Sequence, residues 1–259
     1  MGFKTLIFDK KGEVAYVTLN RPEVLNAYSI QMRDDLYEVL TFVRDDPEVR
    51  VVIFAGAGRA FCAGADLTEF GTAPSPVIAR EVRWKRDLWG VLKDMPKITI
   101  AAMHGYVFGS GMEMALLSDF RLAAEGTRFG LPETALGFIP GAGASQALPR
   151  IAKPGTALAM ILAGERIDAQ EARRIGLVHR VVARESLMAE AEGLARRILS
   201  AGPLAVPLAK EAVSKGLDLS LEEGLRLEAR LSALVWSTDD AWEGLRAHVE
   251  GRAPQFSGR

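Results

Sequence analysis

Apolar residues recur along this chain in two registers: short runs of β-branched and aromatic residues, and longer stretches in which they return every three or four positions. Residues 3–9 (FKTLIFD) and 13–19 (EVAYVTL) are runs of the first kind, and Lys10-Lys11-Gly12 between them predicts a hairpin. Asn20-Arg21-Pro22 breaks that pattern. Met32, Leu36, Val39, Leu40 and Val43 then share one helical face behind Ser29, a predicted N-cap, and Asp45-Asp46-Pro47 ends the helix. Residues 49–54 (VRVVIF) and 98–103 (ITIAAM) are nearly continuous apolar runs, the pattern of strands buried on both faces. The first feeds a glycine- and alanine-rich loop, AGAGRAFCAGAD, with helix expected in the later part of 66–93. The second feeds HGYVFGSGMEMALLSD, residues 104–119. Strand, glycine-rich loop and helix thus occur twice, the mark of a repeated supersecondary unit.

After Asp119 the strand pattern returns in FRLAA. FGLPE follows, where Pro132 suits the first helical position and places Glu133 in the first turn of a new helix. Gly137, Pro140, Gly141 and Gly143 predict a loop that brings backbone close to something. Helices are expected over 155–163, over 168–174 with Asp168 as cap, and over 185–200. Ala201-Gly202-Pro203 marks the one clear boundary, giving an α/β core over 1–200 and a helical region over 201–259. In that region Leu227, Leu231, Leu234 and Val235 form a stripe that must be buried against the core or another subunit.

Composition narrows the class. Hydrophobic residues make up 49% of the 259, enough for a sizeable core, and the formal net charge of −1 offers no global field for nucleic acid or anionic membrane. Cys62 is the only cysteine, which excludes an intrachain disulfide and a multi-thiolate metal site and fits a reducing cytoplasm. No nearby residue would activate it, so it reads as a small apolar filler. Early charges (Lys4, Asp9, Lys10, Lys11) leave no apolar leader, Leu6 breaks the myristoylation pattern, and no apolar run is long enough to span a bilayer. His104, His179 and His248 show no metal-ligand spacing and read as structural.

Candidate chemistry centres on residues 104–119. Gly109, Ser110 and Gly111 keep bulk away from the backbone at a helix start, where amide N–H groups and the positive dipole end can meet negative charge. Glu113 follows within the first turn, among Met112, Met114, Ala115, Leu116 and Leu117, where desolvation would raise a carboxyl pKa toward the range useful for proton transfer. The same residues also satisfy a capping box, with Ser110 as N-cap and Glu113 at N3. Glu133 likewise is either a first-turn acid favoured by the dipole or a second acid of a site.

Five motifs in register decide how these alternatives are weighed: Arg21-Pro22 with Asn26-Ala27, the run Ala60 to Leu67, Gly109-Ser110-Gly111 with Glu113, FGLPE, and IPGAG. With these the chain resembles the enoyl-CoA hydratase/isomerase superfamily, the crotonases, over nearly its whole length to the GRAPQF ending. The resemblance implies a crotonase-like spiral of repeated ββα units, then C-terminal helices that build trimers, often paired into hexamers. It implies an acyl-CoA substrate, with coenzyme A entering as part of that substrate and no separate cofactor or metal. The shared chemistry is stabilisation of a thioester enolate by two backbone N–H groups, here those of Ala65 and Ser110. Glu113 and Glu133 match the hydratases' acid/base pair, with Glu113 activating water, Glu133 donating to the α-carbon, and the Gly141 amide holding the water. Ala63, Asp66 and Leu67 match positions lining the adenine end of coenzyme A.

The expected reaction is hydration of a 2-enoyl-CoA, of the kind used in fatty acid metabolism. The alternatives are double-bond isomerisation or a non-catalytic acyl-CoA- or RNA-binding role. The basic run Arg80 to Arg86 either meets coenzyme A phosphates or is a solvated helix face. Three departures stand out: Ser110 where many members have glycine, His104 for a frequent asparagine, and Ala144-Ser145 for the usual Gly-Thr. Ser110 thereby adds a hydroxyl beside the expected oxyanion site.

Overall fold

The computed structural model describes residues 2–259, and the side chains of Arg80 and Arg83 lie outside the described set, so their part in the basic run is left there. The chain divides into two compact units, 1–191 and 192–259, and the expected break at Ala201-Gly202-Pro203 falls inside the second.

In the first unit, β1 (Leu6–Lys11) and β2 (Val14–Leu19) form the expected antiparallel hairpin. Helix α1 (Ile30–Asp45) starts where predicted: Ser29 Oγ accepts the Met32 N–H at 3.1 Å, and Met32, Leu36, Val39, Leu40 and Val43 are all buried. β3 (Val51–Gly56) follows, then α2 (Pro76–Lys85) and α3 (Leu88–Lys93), then β4 (Ile98–Met103), buried at every position. Lys85 pairs with Glu81, and Arg86 with Asp34 and Glu38, so this end of the basic run is neutralised within the protein.

β5 (Tyr106–Phe108) and α4 (Ser110–Leu117) come next, then β6 (Phe120–Ala124) and β7 (Arg128–Gly130). A short 3-10 helix, Pro132–Leu136, takes the place of the α-helix expected at Glu133. Helix α5 (Ala144–Ile151) was not legible, because its entry is glycine-rich and Pro149 sits in its last turn. α6 (Pro154–Leu162), β8 (Ile167–Asp168), α7 (Ala169–Arg174), β9 (Arg180–Val182) and α8 (Leu187–Leu199) complete the series; Asp168 caps α7 as expected.

The main sheet runs β1-β2-β3-β4-β6-β9, with every pair after the hairpin parallel. Parallel strands need crossovers, and a crossover leaves each strand at the same edge of the sheet. The two glycine-rich loops therefore leave β3 and β4 side by side, in a register that pairs Val51 with Ile98 and Phe54 with Ala101. A second sheet, β5-β7-β8, holds the start of α4 beside the turn that carries Glu133. One apolar cluster fills this unit, from Leu6 through Phe54, Phe61 and Met112 to Val178.

The second unit contains the end of α8 and three further helices, α9 (Ala205–Gly216), α10 (Leu221–Trp236) and α11 (Asp239–Glu250). α10 begins with a true capping box between Ser220 and Glu223. Of the predicted stripe, Leu227 and Leu231 are buried, whereas Leu234 is exposed. The C-terminal tail is tied down by Asp240, which accepts the amides of Ser257 and Gly258 at 2.6 and 2.8 Å. No helix among the described residues is long and apolar enough to cross a membrane.

Candidate active site

The loop after β3 is laced to β5. Phe61 N–H donates to His104 O, Cys62 N–H to Tyr106 O, and Phe108 N–H back to Cys62 O, at 2.8, 3.1 and 3.0 Å. This lacing brings Gly64 against Gly109. Gly109 has φ +49° and ψ −121°, a backbone shape that only glycine adopts readily. A methyl group built on it would lie 3.3 Å from the Gly64 Cα and 2.9 Å from Glu133 Oε1. One on Gly111 would lie 2.5 Å from Cys62 O, inside any real contact. Both glycines are thus dictated by close approach of backbone to backbone.

Ala65 and Ser110 directly follow the touching pair, and both line one cavity of about 780 Å³. Ser110 begins α4, where the first N–H groups have no partner within the helix. Beside Ala65, Tyr28 N–H donates to Gly64 O and Asp66 N–H to Tyr28 O, both at 2.8 Å. Among the described residues, neither the Ala65 nor the Ser110 amide has a protein acceptor. Two unused amides on adjoining strands of backbone make a place for an anionic oxygen.

Glu113 lies one turn into α4 and is 3% exposed. The predicted capping box is absent here: Gly109 is the N-cap and Ser110 the first helical residue, with no side-chain cap bond. Instead Glu113 Oε1 accepts the Ala142 amide at 2.6 Å and the Ala144 amide at 3.4 Å. Amides of Ala142, in the 137–143 loop, and of Ala144, at the start of α5, take the place of the local bond, and Glu113 lines the cavity.

Glu133 sits second in the 3-10 turn behind Pro132 and is 8% exposed. Its Oε2 is sealed from solvent and has no hydrogen-bond partner. Burial pushes its pKa above the ordinary carboxyl value, its own backbone N–H opposes that, and the nearby Glu113 charge adds to it. Two acids therefore share one cavity in opposite surroundings, one held by backbone donors and the other desolvated and inclined to keep its proton.

The remaining candidate site residues, Ala63, Asp66, Leu67 and Gly141, line the same cavity as Ala65, Ser110, Glu113 and Glu133. Asp66 caps a short 3-10 turn. It accepts from Thr68 Oγ1 at 2.7 Å and Arg21 Nη1 at 3.0 Å, and these bonds, Thr68's first, hold its carboxyl below the usual range. Cys62 is buried, with its thiol pushed up to about 11 by desolvation, in keeping with a filler. His104 Nε2 bonds Gly58 O at 2.9 Å, and His179 Nδ1 accepts the Arg121 amide at 3.0 Å, both structural roles. The aromatic walls were not predicted. Tyr28 packs on Trp89 with ring centres 5.3 Å apart, and Phe70 stacks on Phe138 at 5.4 Å. Their sole signal in the sequence was their type, since no periodicity brings these positions together.

Comparison with known proteins agrees with this architecture. The family model for enoyl-CoA hydratase/isomerase matches residues 9–259. A probable enoyl-CoA hydratase of Mycobacterium bovis is 38% identical over the full length of both chains. A crotonyl-CoA hydratase of Syntrophomonas wolfei is 38% identical over 99% of each. A crystal structure of an enoyl-CoA hydratase from Bacillus anthracis superposes with a TM-score of 0.93 at 40% identity, covering 99% of this chain and 100% of that one.

Proposed function

The chain belongs to the enoyl-CoA hydratase/isomerase family, and from that premise we propose that it adds water across the double bond of a 2-enoyl-CoA thioester to give a 3-hydroxyacyl-CoA. The observation that carries this reading is the pairing of Glu113 and Glu133 in one cavity with opposite environments.

In this reading the thioester oxygen accepts from the amides of Ala65 and Ser110. Glu113, oriented by the Ala142 amide, takes a proton from a water held beside Gly141 as the water oxygen bonds to C3. The π electrons move onto the thioester oxygen as an enolate. That charge exists only along the reaction path, so fixed donors there lower the barrier rather than tighten the ground state; each is worth about a hundredfold to a thousandfold. The enolate then collapses and takes the Glu133 proton at C2, and the proton on Glu113 returns to the pair or to solvent. One water has been added, and the reaction draws on no metal or redox group.

Ala63, Asp66 and Leu67 receive the coenzyme A end, and the aromatic walls receive the acyl group. The C-terminal region serves self-association into trimers or hexamers: Leu217 after α9, Leu221 on α10 and Val249 on α11 are 77%, 80% and 85% exposed, apolar residues that suit burial against a second copy.

Incubation with matched 2-enoyl and 3-enoyl thioesters tests the reading. Hydration of the 2-enoyl compound supports it, whereas double-bond migration without hydration dismisses it in favour of an isomerase.

A further inference from the structure

Of the three residues that open α4, only Ser110 carries a side chain. Its neighbours have no room for one, since Gly109 lies against Gly64 and Glu133, and Gly111 lies against Cys62. Ser110 is 9% exposed and lines the cavity. Its hydroxyl bonds to no protein group among the described residues, yet it is not one of the polar atoms sealed from solvent. The one open side of that hydroxyl is therefore the cavity. A polar group this deeply set and left without a protein partner is costly unless something that occupies the cavity completes it.

Position determines what that occupant atom is. Side chains in the first turn of a helix lean toward its N-terminus, the end where the Ser110 amide is also unused. Covalent geometry keeps a serine Oγ within about 3 Å of its own amide nitrogen in two of its three staggered rotamers. A single oxygen that accepts from the Ser110 N–H can then accept from the Ser110 O–H as well. Of the acids that line the same cavity, Glu113 and Glu133 are the pair that changes charge in the proposed turnover; the Ser110 hydroxyl remains a neutral donor throughout.

We propose that Ser110 is a catalytic residue through its side chain as well as its backbone, donating a third hydrogen bond to the thioester oxygen beside the amides of Ala65 and Ser110. The occupant, though not the donor geometry, rests on the enolate reading given above. The third donor strengthens as charge gathers on that oxygen, so it acts on turnover more than on affinity.

Acetoacetyl-CoA is the probe, because its bound form ionises to an enolate with its own ultraviolet absorbance and needs no turnover. The absorbance is followed against pH for the wild type, Ser110→Ala and Ser110→Gly, alongside steady-state hydration of crotonyl-CoA. Both variants keep the backbone amide, and the charged groups that line the cavity, Glu113, Glu133, Arg33, Asp66 and Glu69, are the same in all three proteins. Loss of the hydroxyl raises the pH at which the bound ligand ionises by about one unit and lowers kcat about tenfold, with KM within about twofold. Ionisation and kcat equal to wild type in both variants overturns the proposal. So does a loss in Ser110→Ala that Ser110→Gly fully restores, which identifies crowding by the methyl group. If the wild type hydrates no 2-enoyl thioester but still lowers the ionisation pH of bound acetoacetyl-CoA, the hydratase reading fails. The contribution of the hydroxyl is then still read from the difference between the three proteins.

Discussion

Gly64 and Gly109 stand against each other across two loops, so close that a methyl group on Gly109 would lie 3.3 Å from the Gly64 Cα. The next residue on each loop, Ala65 or Ser110, lines the same cavity and has an amide with no protein acceptor among the described residues. The parallel pairing of β3 with β4 and the lacing of Cys62 to β5 hold the two loops at that glycine contact, which we take to set the spacing of the two amides.

Gly109→Ala places a Cβ in a left-handed backbone shape and against Glu133, so it strains the loop by about 1–3 kcal/mol and spreads the two amides. Thermal melting is expected to fall modestly, and kcat for enoyl-CoA hydration by about a hundredfold or more. A variant with wild-type kcat shows that the glycine contact does not set the donor spacing.

Glu113→Gln and Glu133→Gln keep shape while removing the proposed base and the proposed acid. Each is expected to lower kcat by about a hundredfold to ten-thousandfold with KM little changed. The double variant should be hardly worse than the worse single one, because the two act as a unit. Steady-state kinetics of the three variants check this. Multiplicative losses mean that the carboxyls act independently.

The raised pKa of Glu133 has a pH signature. Its folded form holds a proton that the unfolded chain gives up near the ordinary carboxyl value of 4.5, so stability declines as pH rises from that value through the raised one. Glu133→Gln removes this decline, and its melting temperature should gain on wild type across that window. In the proposed reaction the same proton is the one donated, so wild-type turnover is expected to fall on the alkaline side as Glu133 deprotonates. Identical pH–stability curves for the two proteins contradict the assignment.

Much of this was legible beforehand because it is local. Ser29 and Asp168 cap the helices that they precede, since a cap depends on a hydroxyl or carboxyl and the next three residues. The apolar runs 49–54 and 98–103 correspond to the parallel strands Val51–Gly56 and Ile98–Met103, because short runs rich in β-branched residues without polar alternation suit a strand covered on both faces. Ser110 and Glu113 satisfy the capping-box alternative by spacing but do not form it, because the competing donors, Ala142 in a loop and Ala144 at the start of α5, are distant in sequence. The Tyr28–Trp89 and Phe70–Phe138 walls were invisible for the same reason: each pair joins separate segments that only the folded core brings together.

Asp66 ties the Thr68 turn to Arg21 at the end of the cavity assigned to coenzyme A. Asp66→Ala removes a helix cap, worth about 1 kcal/mol, and loosens that wall. KM for the thioester is expected to rise several-fold with kcat nearly unchanged. A fall in kcat at constant KM instead places Asp66 in the chemistry rather than in binding.

The most direct test of the paired-acid site is the mass of the product formed when the purified protein meets a panel of 2-enoyl-CoA thioesters in water enriched in ¹⁸O. A 3-hydroxyacyl-CoA heavier than its substrate by one labelled water is the expected product. Thioesters recovered at unchanged mass across the whole panel would contradict it.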